Sequence, residues 1–360
     1  MLRIQITYGI FNKNRKGIVL MATIKDVAAA AGVSTATVSR AFSNKNSVNN
    51  ETRNRILEEA RKLNFTPREY KQRSNSLGCG CIGVVVPDIS NNFFAEVISG
   101  IESVMSKLNI QVLICNSDED PGAEIKILDS LQAINVCGII IAPVSNAVEY
   151  NAECLKNFDR SGIPVVLMDR DLRNGSMDGV FMDSYGGAYE ATQTLINCGH
   201  KDIAFICGPL TSSSGLDRLN AFIAAHRDNG LEVHEEHIIY SDFKYETTYN
   251  LITQRIDQMN KVTAILSSNR RMTYGCCMAL SENRIVIGRD ISFISCGRPE
   301  IGHGFISYVD YPTYDMGSEC AQILIEKAKR GKRNRTYARK RTTFDMEIIL
   351  NGSEKYPSNR

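Results

Sequence analysis

The sequence predicts an all-α helix-turn-helix headpiece followed by an α/β body of two doubly wound parallel-sheet subdomains. Three observations point there. Residues 21–65 hold short helical patterns and no strand pattern, β-branched runs alternate with amphipathic stretches after Cys81, and charge divides between the two regions. Lys and Arg outnumber Asp and Glu 10 to 5 over residues 21–80, whereas over residues 81–326 they number 17 against 32. A polyanion repels an acidic body, so the basic front end is the part suited to nucleic acid.

The headpiece is read from "TIKDVAAAAGVSTATVSRAFS" and "NNETRNRILEEARKLNF". Thr23 caps the first helix, with Asp26 three residues on as capping-box partner, and Gly32 ends it with the left-handed conformation of a tight turn. Ser34 caps the second helix, and the third puts Ile56, Leu57, Ala60 and Leu63 on one face. Ala28, Gly32 and Val38 supply the small contact residue, turn glycine and β-branched core residue that a helix-turn-helix needs. With Val33, Val38 and Phe42 inward, Thr35, Ala36, Ser39 and Arg40 face out. A guanidinium reads guanine O6 and N7, so Arg40 is the candidate base reader, while Thr35 and Ala36 are short enough to meet a thymine methyl. Thr23, Ser34, Thr37 and Asn50 stand at helix starts, where amides and hydroxyls suit phosphate oxygens.

The body carries ten strand patterns: "IGVVVPDI", "QVLICNS", "VCGIIIAPV", "PVVLMDR", "GVFMDS", "IAFICG", "HIIYSDF", "VTAILSS", "ISFISCG" and "FISYVDYP". Continuous apolar strands separated by helices imply parallel sheets covered on both faces, and ten are too many for one compact open sheet. A ligand then binds beyond the carboxyl ends of the strands, in the loops after Pro87, Ser117, Pro143, Asp169, Gly208, Phe243, Ser268 and Gly297. The basic run "KAKRGKRNRTYARKR" is either a solvated helix end and loop or a second nucleic-acid contact.

No run reaches the roughly 18 apolar residues of a membrane span, and the first twenty residues lack a secretory cleavage site. The 11 scattered cysteines read as reduced core residues, which predicts a cytoplasmic setting, and their spacing gives no zinc site. No motif orders a His and a carboxylate around "GPLTSSSG", and neither a Walker loop nor a dinucleotide fingerprint is present, so no enzyme and no cofactor are expected.

These motifs resemble the lactose repressor (LacI) family of bacterial transcription regulators, and the resemblance continues through "IGVVVPDISNNFFAEVISGIE", "GIPVVLMDRDL", "GHKDIAFICGP", "DRLNAF" and "GRDISF". It covers residues 21 to about 350. It implies a periplasmic-binding-protein-like body at 81–350 after a hinge or linker at 66–80, with a tail at 351–360. It further implies a homodimer that represses from a near-palindromic double-stranded DNA operator under control of a small effector (a sugar, nucleoside or phosphorylated metabolite); departures in the cleft leave control by a protein corepressor open. In the cleft Phe93 and Phe94 would pack on a ring, Arg218 would grip hydroxyls, Ser214 and Asn269 would add hydrogen bonds, Phe243 would close the far wall, and Asp169 would accept from a hydroxyl.

The sequence departs from the family in two places. The hinge's Ala-Arg-x-Leu pattern falls on Lys71, Gln72 and Ser74, so the apolar wedge into the minor groove is missing; Tyr70 or Leu77 takes over, or the segment is a plain linker. In the cleft the family's common Asp is Arg270, and Gly297 stands where a sugar-binding carboxylate often sits. Asp310, at a frequent Gln position, restores one acceptor. Arg270 and Arg298 either point to solvent or meet an anionic effector. The alternative function is a ligand-binding or partner-controlled module with weakened specific DNA binding. Residues 1–20 are read as a translated leader ahead of a start at Met21, or as a basic arm.

Overall fold

The computed structural model describes residues 23–43, 48–63, 65, 80–145, 149–172, 177–259, 261–300, 304–330 and 338–355. The leader segment 1–20, the hinge positions Tyr70, Ser74 and Leu77, and residues 331–337 of the basic run lie outside them. The chain divides into two units, Met1–Ser74 and Asn75–Arg360.

The first unit holds α1 (Ile24–Ala30), α2 (Thr35–Ser43) and α3 (Asn50–Lys62). The Asp26 carboxylate accepts from both the N–H and the hydroxyl of Thr23, each at 2.7 Å. Gly32 takes φ +62°, and Val33 N–H closes onto the Ala28 carbonyl at 3.0 Å, which is how the chain leaves α1 sharply enough for α2 to start at once. Val27, Ala28, Ala31, Val38, Ala41, Ile56 and Ala60 form a small core, flanked by Val33 and Phe42. The predicted face of α3 is narrower than its pattern implied: Ile56 and Ala60 are buried, Leu57 is half-buried and Leu63 is exposed. The two short helices α1 and α2 cannot cover all four apolar positions of this face.

The second unit has two sheets. Lobe 1 contains β1 (Cys81–Val86), β2 (Gln111–Asn116), β3 (Ile139–Ile141), β4 (Val165–Met168), β5 (Gly179–Met182) and β11 (Arg341–Phe344), in the order β11-β5-β4-β3-β1-β2, all parallel. Lobe 2 contains β6 (Ile203–Cys207), β7 (Ile238–Tyr240), β8 (Ala264–Ser267), β9 (Ser292–Cys296), β10 (Ser307–Asp310) and β12 (Glu347–Ile349), in the order β12-β10-β9-β8-β6-β7. Only β12 is antiparallel. The ten sequence-predicted strands all form; β11 and β12 are additional. Lobe 1's helices are α4 (Asn92–Met105), α5 (Pro121–Ala133), α6 (Glu149–Ser161) and α12 (Thr313–Arg330). Lobe 2's are α7 (Ser184–Asn197), α8 (Ser213–Asp228), α9 (Tyr245–Gln254), α10 (Ile256–Met259) and α11 (Arg270–Glu282).

The chain crosses between lobes three times: from β5 into α7, from β10 into α12, and from β11 into β12. Helix α12 returns to lobe 1 and crosses α4 backbone to backbone. A methyl on Gly100 would strike the Tyr314 carbonyl, and one on Gly317 would strike that of Val97, so glycine is needed in both helices despite its entropic cost.

Two sequence expectations change. Asn351–Lys355 is not free tail: Ser353 and Glu354 are buried in lobe 2, where Phe293 N–H donates to the Ser353 carbonyl at 2.8 Å. Among the described cysteines nine are free thiols, whereas Cys137 is disulfide-bonded.

Buried His200 binds Thr263 Oγ1 at 2.9 Å and the Glu354 carbonyl at 3.2 Å, and burial pulls its pKa below 6.5. Burial does the same to His226, whose Nδ1 lies 2.9 Å from the Phe222 carbonyl. Both are held neutral, so the unfolded chain binds more protons, and the stability they contribute is full above pH 6.5 and lost as pH falls through it. The midpoint of thermal unfolding, followed by circular dichroism, is expected to fall between about pH 7.5 and 5.5; a midpoint flat over that range would refute this.

Candidate functional site

In the first unit the outward positions of α2 are where the pattern placed them. Thr35, Ala36 and Arg40 are exposed, Thr37 and Ser39 half-buried, and Val38 fully buried. Ser34 Oγ accepts the Thr37 N–H at 3.1 Å and lies 2.8 Å from Thr37 Oγ1, so these hydroxyls first set the start of α2. Asn49, not Asn50, caps α3, its Oδ1 accepting from Glu51 N–H at 3.0 Å, and Asn50 is exposed as the first helical residue. Arg53 Nε donates to the Ala41 carbonyl at 3.0 Å, satisfying the end of α2 from the neighbouring helix. Sequence reading had no signal for that contact.

The second unit gathers a cavity between its lobes, at the carboxyl ends of the parallel strands. Seven of the eight predicted effector residues line it: Phe93, Phe94, Asp169, Ser214, Arg218, Phe243 and Asn269. Asp310 does not, because its carboxylate turns to Arg298 at 2.5 Å; its neighbour Tyr311 takes the place in the wall. The described residues of the loop after Pro143 contribute none of the lining. Sequence reasoning missed Glu119, Arg170, Lys244 and Cys296, which follow strand ends but carried no separate motif.

Backbone strain fixes two walls. Asp169 and Phe243 have φ +62° and +68°, a conformation costly for residues with a Cβ, and both point into the cavity. Asn269 holds one of them: its Nδ2 donates to the Phe243 carbonyl at 3.1 Å while its Oδ1 caps α11 through Met272 N–H at 2.7 Å. Its amide thus holds the architecture of the wall it lines and keeps one Nδ2 hydrogen for a ligand.

The electrostatics are tightly matched. Arg170 meets Glu119 in a bidentate pair at 2.6 and 2.8 Å, and its guanidinium lies 5.1 Å from the Phe243 ring centre. Arg218 donates to the Ser268 carbonyl at 2.9 Å and to Ser184 Oγ at 3.2 Å, leaving its buried Nε without a hydrogen-bond partner. The buried Tyr311 hydroxyl beside it also has none. Burial pushes the Asp169 carboxyl up, against the opposing pull of Arg218 and Arg170. Burial also pushes the Cys296 thiol up to about 11, so it presents S–H and not a thiolate. What remains for a ligand is a carboxyl, an arginine edge, a phenol and three aromatic rings, a set suited to a small hydroxylated ring compound.

Of the two arginines of the sequence departures, Arg298 takes the solvent-facing alternative and Arg270 takes neither. Arg270 is 4% exposed and pairs with Glu96 at 2.9 Å. Arg298 is exposed but paired with Asp310. Neither is a bare rim charge, and neither waits for an anion.

Residues 23–68 match the model of bacterial regulatory proteins of the lacI family, and residues 80–297 match that of periplasmic binding proteins and the sugar-binding domain of the LacI family. The chain belongs to the LacI family. The family member RegA, a helix-turn-helix transcriptional regulator of Clostridium saccharobutylicum, is 30% identical, covering 85% of this chain and 92% of its own. Catabolite control protein A of Priestia megaterium is 29% identical over 84% of this chain and 92% of its own. In fold, the chain is similar to the transcriptional regulator CelR in complex with cellobiose, at a TM-score of 0.67 and 22% identity, covering 92% of this chain and 99% of that one. As a LacI-family protein it is a DNA-binding transcriptional regulator with a ligand-binding domain. No described helix is long and apolar enough to cross a membrane, and no described cluster of His, Cys, Asp and Glu could hold a metal.

Gly297 explains why the LacI-family carboxylate is absent there. At φ +119° the position favours glycine, and a Cβ would approach Arg270 Cγ to 2.9 Å. Gly297→Asp is expected to destabilise the protein by about 2 kcal/mol, with partial recovery when Arg270→Ala is added. Denaturant unfolding of the single and double variants checks this; a neutral single variant would refute it.

Proposed function

We propose that the chain is a cytoplasmic repressor that binds a near-palindromic operator as a homodimer and responds to a neutral hydroxylated effector, a sugar or nucleoside. The observation that carries the reading is the exposed face of α2, with Thr35, Ala36 and Arg40 presented together on a helix of the right length for a major groove. Arg40 reads a guanine, Ser39 adds a hydroxyl, and Thr23, Ser34, Thr37 and Asn50 position the phosphate backbone.

The cleft supports a neutral ligand because two of its three arginines already pair with carboxylates, Arg170 with Glu119 and Arg270 with Glu96, and the charge of the third, Arg218, is opposed by Asp169 nearby. Phe93, Phe94 and Phe243 pack on the ring, while Asp169, Ser214, Arg218 and Tyr311 bind hydroxyls. A dimer is supported by β2, an edge strand that exposes Leu113 and Ile114 at about 40% each. The cavity's groups bind and orient; none is arranged as a nucleophile with a base, which favours a regulator without catalysis. Control by a protein corepressor is the second reading, favoured by a cleft whose charges are satisfied from within.

Selection of bound sites from a random duplex library at near-physiological salt tests the reading. A palindrome with two half-sites is expected, and Arg40→Ala is expected to cost about 1–3 kcal/mol and relax one base position in each half. Tight low-salt binding with no enriched sequence would overturn it.

A further inference from the structure

The two lips of the cleft carry opposite charges. Lobe 2 contributes Lys244 and Arg270, at the loops after β7 and β8, and lobe 1 contributes Asp118 and Glu96, at the loop after β2 and on α4. They meet pairwise across the gap: Arg270 NH1 to Glu96 Oε1 at 2.9 Å, and Lys244 Nζ to Asp118 Oδ1 at 2.9 Å. A third bridge runs from Asp171 N–H in lobe 1 to Ser213 Oγ in lobe 2 at 2.8 Å.

The two ion pairs are not equal. Lys244 and Asp118 are both substantially exposed, so that pair is screened and weak. Arg270 has a side chain only 5% exposed. Its stem lies over Gly297, and Glu96 is the carboxylate that its guanidinium reaches. Glu96 itself is 43% exposed, so the pair is partly buried; parting the lobes would break its charge-assisted hydrogen bonds and leave the guanidinium without a carboxylate, which disfavours opening. Glu96 also accepts from Thr313 Oγ1, at the crossing from β10 into α12, so one carboxylate ties α4, α11 and a crossover.

We propose that Arg270 and Glu96 form a built-in latch that holds the two lobes closed with no effector present, so that an effector acts on a cleft already shut. The latch occupies the space over Gly297 that a sugar-binding carboxylate would need, and so exchanges ligand-driven closure for closure by the chain itself. This rests on the reading of the cleft as a hinged effector site. A hydroxylated effector then has to slip beneath the latch or displace it.

Hydrogen exchange of the full, ligand-free chain, read by mass spectrometry, tests the latch directly and needs neither operator nor effector. Glu96→Gln keeps the shape and the acceptor for Thr313 but removes the charge. Exchange in peptides over residues 88–94, 243–248 and 269–275 is expected to quicken by about fivefold, while peptides from β1 and β8 stay protected and so report an intact fold. The charge swap Glu96→Arg with Arg270→Glu should restore slow exchange. Unchanged cleft exchange in Glu96→Gln would overturn the latch. If the radius of gyration from small-angle X-ray scattering is also unmoved when Lys244→Ala is added, the hinge reading falls with it; if that double variant expands while Glu96→Gln alone does not, only the latch falls.

Discussion

The three crossings between the two sheets are the constraint on which the rest of the body depends. Two crossings would permit a twist, but three strands of connection at one edge restrict the lobes largely to opening and closing about that edge. The lining residues of the cavity stand at carboxyl strand ends, at crossovers and on the first turns of the helices that follow the strands, so the motion of the hinge is also a motion of the site. Arg218 shows the coupling: it sits in lobe 2 yet donates to Ser184, on the crossing out of β5. Asp169 and Phe243 store strain on opposite walls, and such positions persist only where the surrounding structure over-determines them.

Much of this was legible in the sequence, because parallel strands and short capped helices advertise themselves locally. The ten long strand patterns needed only their apolar runs, and the headpiece needed only Thr23, Gly32, Ser34 and the inward valines. What was hidden depended on distant partners. β11 and β12 read "RTTF" and "EII", too short and too exposed to stand out, and they exist only because edges of β5 and β10 await them. The strand pattern also implied cover on both faces, whereas β2, at an edge, leaves four of its six residues exposed.

The site divides the same way. Seven effector positions followed from the family resemblance, but the roles of three residues did not. Asn269 caps α11, Asp310 is held by Arg298, and Arg270 is taken by Glu96, which lies 174 residues away in the chain. A substituted charge in a cleft invites the thought of an oppositely charged ligand. The nearer answer is a compensating side chain, because a buried guanidinium with no carboxylate would be costly in any state lacking the ligand. Gly297 belongs to the same substitution, since Arg270 and a side chain at 297 compete for one space.

Control of transcription requires that closure of the lobes and grip on DNA share one equilibrium, as linkage demands of any regulator with two sites. The most direct test is the dissociation constant for the selected duplex, measured by fluorescence anisotropy at fixed salt for the wild-type chain and for Glu96→Gln, which leaves the DNA-facing residues untouched. A shared equilibrium predicts constants that differ by at least about fivefold. Equal constants for two proteins whose lobes differ in opening would contradict it, and would leave the headpiece and the cleft as independent binding units on one chain.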